Sequence, residues 1–133
     1  MKAQPIRVMV IDDSALVRQT MAAILTEEDG FILETAGNGL IAEKKIPSFQ
    51  PQVLVLDLEM PVMDGMTFLK KLMSSQPLPV IICSSVTAQG SQAAIRALET
   101  GAIDVIQKPS IGTREFLEES RVRIQDAVRG PVQ

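Results

Sequence analysis

Apolar residues recur along this chain in five short runs, Arg7–Ile11, Phe31–Ala36, Val53–Leu56, Pro79–Cys83 and Ala102–Ile106, several of them rich in Val and Ile. The first, third and fourth are apolar at both parities, as strands covered on both faces must be. Between the runs the apolar spacing turns helical. Val17, Met21, Ile24 and Leu25 predict a first helix with Ser14 as its N-cap. A second, over Leu40–Ile46, is limited by Pro47, which lacks a donor and crowds the preceding turn. Phe68, Leu69 and Leu72 predict a third after Asp64-Gly65, and Ala94, Ile95 and Leu98 a fourth closed by Gly101. Phe116, Leu117, Ile124, Ala127 and Val128 predict the last. Strands alternating with helices give an α/β fold built on a doubly wound parallel sheet. Right-handed crossovers narrow its topology. Residues 1–129 read as one domain, and Arg129-Gly130-Pro131-Val132-Gln133 as a helix end running into the start of a linker.

Sheets of this kind bind ligands outside the carboxyl ends of their strands. That rule selects Asp12 and Asp13 after the first run, Asp57 and Glu59 after the third, Ser84 after the fourth and Lys108 after the fifth. Singly, each has an ordinary use. Acids open helices, where the dipole favours them; a Lys-Pro pair marks a surface turn; serines cap loops. Together they point elsewhere. Like charges about 4 Å apart repel by roughly 4 kcal/mol at an effective dielectric near 20, so clustered carboxylates call for a cation. A hard, oxygen-seeking ion such as Mg2+ fits best, with Mn2+ as a substitute. Lys108 then faces Asp57 as a partner for its carboxylate or for a transferred phosphoryl oxygen, and Ser84 is the better placed of Ser84 and Ser85 to donate to the same group. Spacing does not fix the isomer of the Lys108–Pro109 bond.

Composition removes competing chemistry. The chain has no histidine, which excludes a Ser-His-Asp hydrolase, a His-ligated metal centre or a phosphohistidine carrier within it. A net charge of −3 and the absence of Trp and Tyr argue against a nucleic-acid surface. The lone Cys83 leaves no internal disulfide and fits a reducing, cytoplasmic setting. No apolar stretch approaches the roughly 20 residues of a membrane span, and the amino-terminal one is too short for a secretory signal. The seven Met read chiefly as core filler, with Met60, Met63 and Met66 beside Asp57 as an adaptable surface in the alternative.

The ordered set of motifs resembles the receiver domain of two-component response regulators. Val8-Met9-Val10-Ile11-Asp12-Asp13-Ser14 is similar to its acidic motif, Leu56-Asp57-Leu58-Glu59-Met60-Pro61-Val62-Met63-Asp64-Gly65 to its phosphoacceptor motif, and Lys108-Pro109 to its lysine motif. The stretch Ser84-Ser85-Val86-Thr87-Ala88-Gln89-Gly90-Ser91, with Ala97–Asp104 and Lys108-Pro109-Ser110, is more specifically similar to the receiver half of the chemotaxis protein-glutamate methylesterases (the CheB family). This resemblance implies a flavodoxin-like fold with strand order 2-1-3-4-5. It implies that Asp57 accepts a phosphoryl group from a phosphohistidine on a chemotaxis-type histidine kinase. Asp13, Asp57 and the main-chain carbonyl of Glu59 would hold Mg2+, Asp12 would assist through water, and Lys108 and Ser84 would contact the phosphoryl oxygens. Output would leave from the face of the fourth helix, fifth strand and fifth helix toward a carboxyl-terminal methylesterase domain, a serine hydrolase that this chain does not contain. The chain itself is then a regulatory domain and not an enzyme, with no nucleic-acid partner and no membrane insertion.

Two positions depart from the common receiver pattern. Val105 stands where many receivers carry an aromatic toggle, so coupling would run through smaller packing changes. Glu59, two past the acceptor, stands where side chains influence water access. Two other readings compete. A haloacid-dehalogenase-like phosphatase also uses a strand-end aspartate, Mg2+ and a lysine, and Glu59 superficially fits its second acid; the chain is short for it and Met60-Pro61 does not match. A docking module with idle carboxylates is the other.

Overall fold

The computed structural model describes residues 4–60, 62–85, 91–109 and 114–132, the side chains of 114–117 excepted. Pro61, Val86–Gly90, Ser110 and the side chains of Phe116 and Leu117, all used above, lie outside the described residues. Strands β1 (Ile6–Ile11), β2 (Phe31–Ala36), β3 (Val53–Leu56), β4 (Val80–Ser84) and β5 (Asp104–Gln107) alternate with helices α1 (Ala15–Ile24), α2 (Gly39–Phe49), α3 (Gly65–Ser75), α4 (Gln92–Thr100) and α5 (Arg114–Arg129). All strand pairs are parallel, in the order β2-β1-β3-β4-β5. This is the expected flavodoxin-like arrangement.

The central strands are buried throughout their inner lengths, and alternate residues feed two cores. Met9, Ile11, Leu54, Leu56 and Ile82 pack with Phe68, Leu69, Leu72, Ala94 and Ala97 of α3 and α4. Val8, Val10, Val55, Ile81 and Cys83 pack with Met21, Ile24, Ile124 and Val128 of α1 and α5. Met60 is buried, and Met63 and Met66 pack against the first core, so the methionines beside Asp57 act as filler. Burial pushes the Cys83 thiol up to about 12, which makes it an inert hydrophobe.

Ser14 caps α1 by accepting from the Val17 N–H at 3.2 Å, and Gly101 closes α4, as the sequence predicts. Four expectations need correction. α2 runs through Pro47 to Phe49. Proline lies in its last turn on the exposed side, so only one backbone bond is forfeited, and left-handed Gln50 (φ 54°) closes the helix with its N–H on the Ile46 carbonyl at 2.8 Å. Ile95 and Leu98 face outward, 50% and 45% exposed, while Ala94 and Ala97 form the buried stripe. Small residues suit the tight approach here: a Cβ on Gly101 would come within 2.9 Å of Met73 Sδ. β5 starts at Asp104 rather than Ala102, because the Ala102 N–H is spent on the Ala97 carbonyl (3.0 Å) in the closure of α4. β4 is shifted by one residue and takes in Ser84. No peptide bond among the described residues is cis, Lys108–Pro109 included. No helix among them is long and apolar enough to cross a membrane.

Candidate functional site

Register brings the chemistry together. Ile11 of β1 lies beside Leu56 of β3, so Asp12 and Asp57 leave neighbouring strands at the same level. Backbone bonds continue past the strand ends. The Asp12 N–H donates to the Ala36 carbonyl (3.0 Å), the Asp57 N–H to Ile11 (2.9 Å) and the Lys108 N–H to Ser84 (2.7 Å). α3 then starts hard against the acceptor. Asp64 caps it by accepting from the Thr67 N–H at 2.9 Å, a bond that holds its carboxyl below the usual range. A side chain on Gly65 would collide with the Asp57 carbonyl oxygen, so only glycine lets the helix come this close.

One carboxylate oxygen each from Asp12, Asp13 and Asp57 lies within 4.8 Å of the others. Asp12 and Asp57 are buried and Asp13 is exposed at the mouth. Asp12 accepts from the Ser14 N–H at 2.9 Å and meets Lys108 Nζ at 3.3 Å. Asp57 accepts the Glu59 N–H on Oδ1 at 3.1 Å, while its Oδ2 has only an ion contact with Lys108 at 3.5 Å and no hydrogen bond. Burial, with the charges of Asp12 and Asp13, raises the Asp57 carboxyl to about 6 against the opposing pull of the Glu59 N–H and Lys108. Burial works against the Lys108 ammonium, but the charges of Asp12 and Asp57 hold it above its ordinary value. The hydroxyl of Ser84 is buried and has no hydrogen-bond partner among the described residues. Asp57, Met66, Ser84 and Lys108 line one cavity of about 400 Å³.

The structure brings Asp12, Asp13, Asp57, Ser84 and Lys108 together at one strand edge. The Glu59 carboxylate is exposed and stands outside the acidic trio, although its backbone holds Asp57. Arg18 was not selected; its guanidinium donates to the Asp12 carbonyl at 2.8 Å. Its place in α1, one turn after the Ser14 cap, was the available signal. The donor set suits a divalent cation. Three hard oxygens crowd together, and Asp57 Oδ2 is buried without a hydrogen bond.

Residues 8–120 match the response regulator receiver domain family. A protein-glutamate methylesterase/protein-glutamine glutaminase of Anaeromyxobacter dehalogenans is 53% identical over 128 residues, which are 96% of this chain and 35% of that protein. The chain thus spans about a third of such relatives. The response regulator domain of Thermotoga maritima CheB superposes with a TM-score of 0.79 at 35% identity, covering 95% of this chain and 98% of that one. A chain of the CheX–CheY–BeF3–Mg2+ complex of Borrelia burgdorferi gives 0.79 at 26% identity, covering 98% and 91%. The haloacid-dehalogenase-like alternative draws support from none of these likenesses. The chain belongs to the response regulator receiver domain family, and within that family it is of the CheB type.

Proposed function

We propose that this chain takes a phosphoryl group onto Asp57 from a phosphohistidine of a chemotaxis-type histidine kinase in the cytoplasm, and thereby controls a carboxyl-terminal methylesterase domain joined through residues 130–133. The observation that carries this reading is the buried Asp57 Oδ2, which meets Lys108, has no hydrogen bond among the described residues and shares a cavity with Ser84. Asp57 Oδ2 attacks phosphorus, the new O–P bond forms as the N–P bond breaks, and the electron pair of that bond returns to the donor imidazole. Asp13, Asp57 and the Glu59 carbonyl, with Asp12 behind, would hold Mg2+, which when bound would supply neutralising charge at the transferring group. Lys108 lies between Asp12 and Asp57 at rest and turns one of its donors to a phosphoryl oxygen afterward. The Ser84 hydroxyl, without a hydrogen-bond partner among the described residues, donates to another.

The new charge draws Ser84 and Lys108 inward, and their backbones are already linked by the Lys108 N–H to Ser84 carbonyl bond. With Val105 in place of an aromatic, small packing shifts carry the change outward. The receiving surface is apolar. Ile95 and Leu98 of α4, Ile103 before β5 and Val122 of α5 are all about half exposed, and the Asp104–Arg123 ion pair at 3.7 Å ties β5 to α5 there. That surface suits an effector domain that covers it in one state and leaves it in the other.

Acetyl phosphate with Mg2+ tests the acceptor. Wild-type protein should gain one hydroxylamine-sensitive phosphoryl group, and Asp57→Asn none. Equal labelling of both, or of neither, overturns the assignment.

A further inference from the structure

The Asp12 peptide is held at every polar group. Its N–H donates to Ala36, its Oδ1 accepts from Ser14 and its Oδ2 meets Lys108. The remaining group, its carbonyl oxygen, accepts from Arg18 Nη1 at 2.8 Å. The same guanidinium lies against Gly37, where an added Cβ would stand 3.6 Å from Nη1. Arg18 therefore holds the loop after β1 and stands near the loop after β2. The carbonyl it holds shares a peptide plane with the Asp13 nitrogen. Asp13 is the exposed member of the acidic trio, so its backbone, more than its packing, aims its carboxylate.

We propose that Arg18 is a positioning residue for the divalent cation: by holding the 12–13 peptide plane it presets the Asp13 carboxylate against those of Asp12 and Asp57. The inference rests on the reading of that trio as a Mg2+ site. Groups that orient metal ligands from outside typically change metal affinity about 10- to 100-fold when removed. Arg18 also brings a positive charge, which by itself opposes a cation. Positioning and repulsion thus predict opposite signs, and variants can separate them.

The test is calorimetric titration of Mg2+ into the wild-type chain, Arg18→Met and Arg18→Lys, with the thermal midpoint of each metal-free protein. Arg18→Met should raise the Mg2+ dissociation constant about 10-fold. Arg18→Lys, which retains a donor, should recover part of the loss. Should Arg18→Met unfold, the lysine variant carries the test, with weaker Mg2+ binding as the supporting result and unchanged binding as the contrary one. Tighter or unchanged binding by a folded Arg18→Met variant overturns the proposal, as does a lowered thermal midpoint with no change in Mg2+ affinity. Wild-type protein that takes up no Mg2+ would instead overturn the phosphoacceptor reading beneath it.

Discussion

At the amino-terminal edge of the sheet, Asp29 collects donors. Its Oδ2 accepts from Arg121 Nη1 and Gln125 Nε2, each at 2.9 Å, and its carbonyl accepts from Arg129 at 3.0 Å. Arg121 and Gln125 also reach the Ala23 and Ile24 carbonyls at the end of α1, where cationic and donor groups meet the helix dipole favourably. Arg129 lies over the Phe31 ring, 5.0 Å from its centre. The Gln125 bond first, with Thr26 and Arg121, holds Asp29 below its ordinary value. At the carboxyl edge, carboxylates are in surplus, and Asp57 is driven up to about 6. The chain uses the same residue type in opposite ways. Where a carboxylate is fully partnered it fastens α5 to α1. Where it is left short of partners, the deficit marks a place for a ligand.

Substitutions can break this contrast, and the largest effects belong to the carboxyl edge. Asp57→Asn should abolish phosphoryl labelling while leaving the metal-free fold intact or slightly stabilised, because it removes one of several crowded charges; labelling and thermal denaturation read the two sides. A fall in stability would mean that Asp57 is a structural acid like Asp29. Gly65→Ala should cost roughly 2 kcal/mol, within the usual range for forcing extra bulk into a packed site. The added Cβ must push the Asp57 backbone or the start of α3 aside, so labelling should slow as well. Denaturant unfolding and the labelling rate check both. A variant with wild-type stability and rate would show that the close approach of α3 is dispensable.

What could be read from the sequence divides along the same line. Val53–Leu56 was legible to the residue, because a fully buried strand needs an uninterrupted apolar run. The half-buried Phe31–Ala36, which carries Glu34 and Thr35, was legible too, from its apolar start after Gly30 and its end before Gly37. The acidic site was legible because topology alone delivers Asp12, Asp57, Ser84 and Lys108 to one edge. The buried stripe of α4 was not. Alanine carries a weak apolar signal, and Ile95 and Leu98 point to solvent instead. Arg18 and the Asp29 cluster were hidden for another reason. A long side chain that seeks a distant backbone oxygen leaves no periodic trace, and Arg121 and Asp29 are 92 positions apart.

Asp29→Ala should lower the thermal midpoint by less than Gly65→Ala does, while phosphoryl labelling remains at the wild-type rate. Scanning calorimetry beside the labelling assay separates the two, and a labelling defect would mean that the two edges are coupled through α1. The smallest effect, and the sharpest contrast, is in pH. Asp29 titrates lower in the folded chain, so its contribution is present at neutral pH and is lost as pH falls through its folded value, below the ordinary carboxylate value of about 3.9. Asp57 has the opposite sign. Between about 3.9 and its folded value of about 6, the folded chain keeps a proton that the unfolded chain gives up. Stability of the metal-free protein should therefore fall as pH rises across that window and level off above it. Saturating Mg2+ should flatten this arm, because a bound cation favours the charged form, and Asp57→Asn should remove it, whereas neither should touch the acid arm that Asp29 supplies. Thermal midpoints collected from pH 3 to pH 8, with and without Mg2+, decide it: an Asp57 arm that survives both changes would mean that the carboxylate surplus at this edge is not what burial and crowding make it.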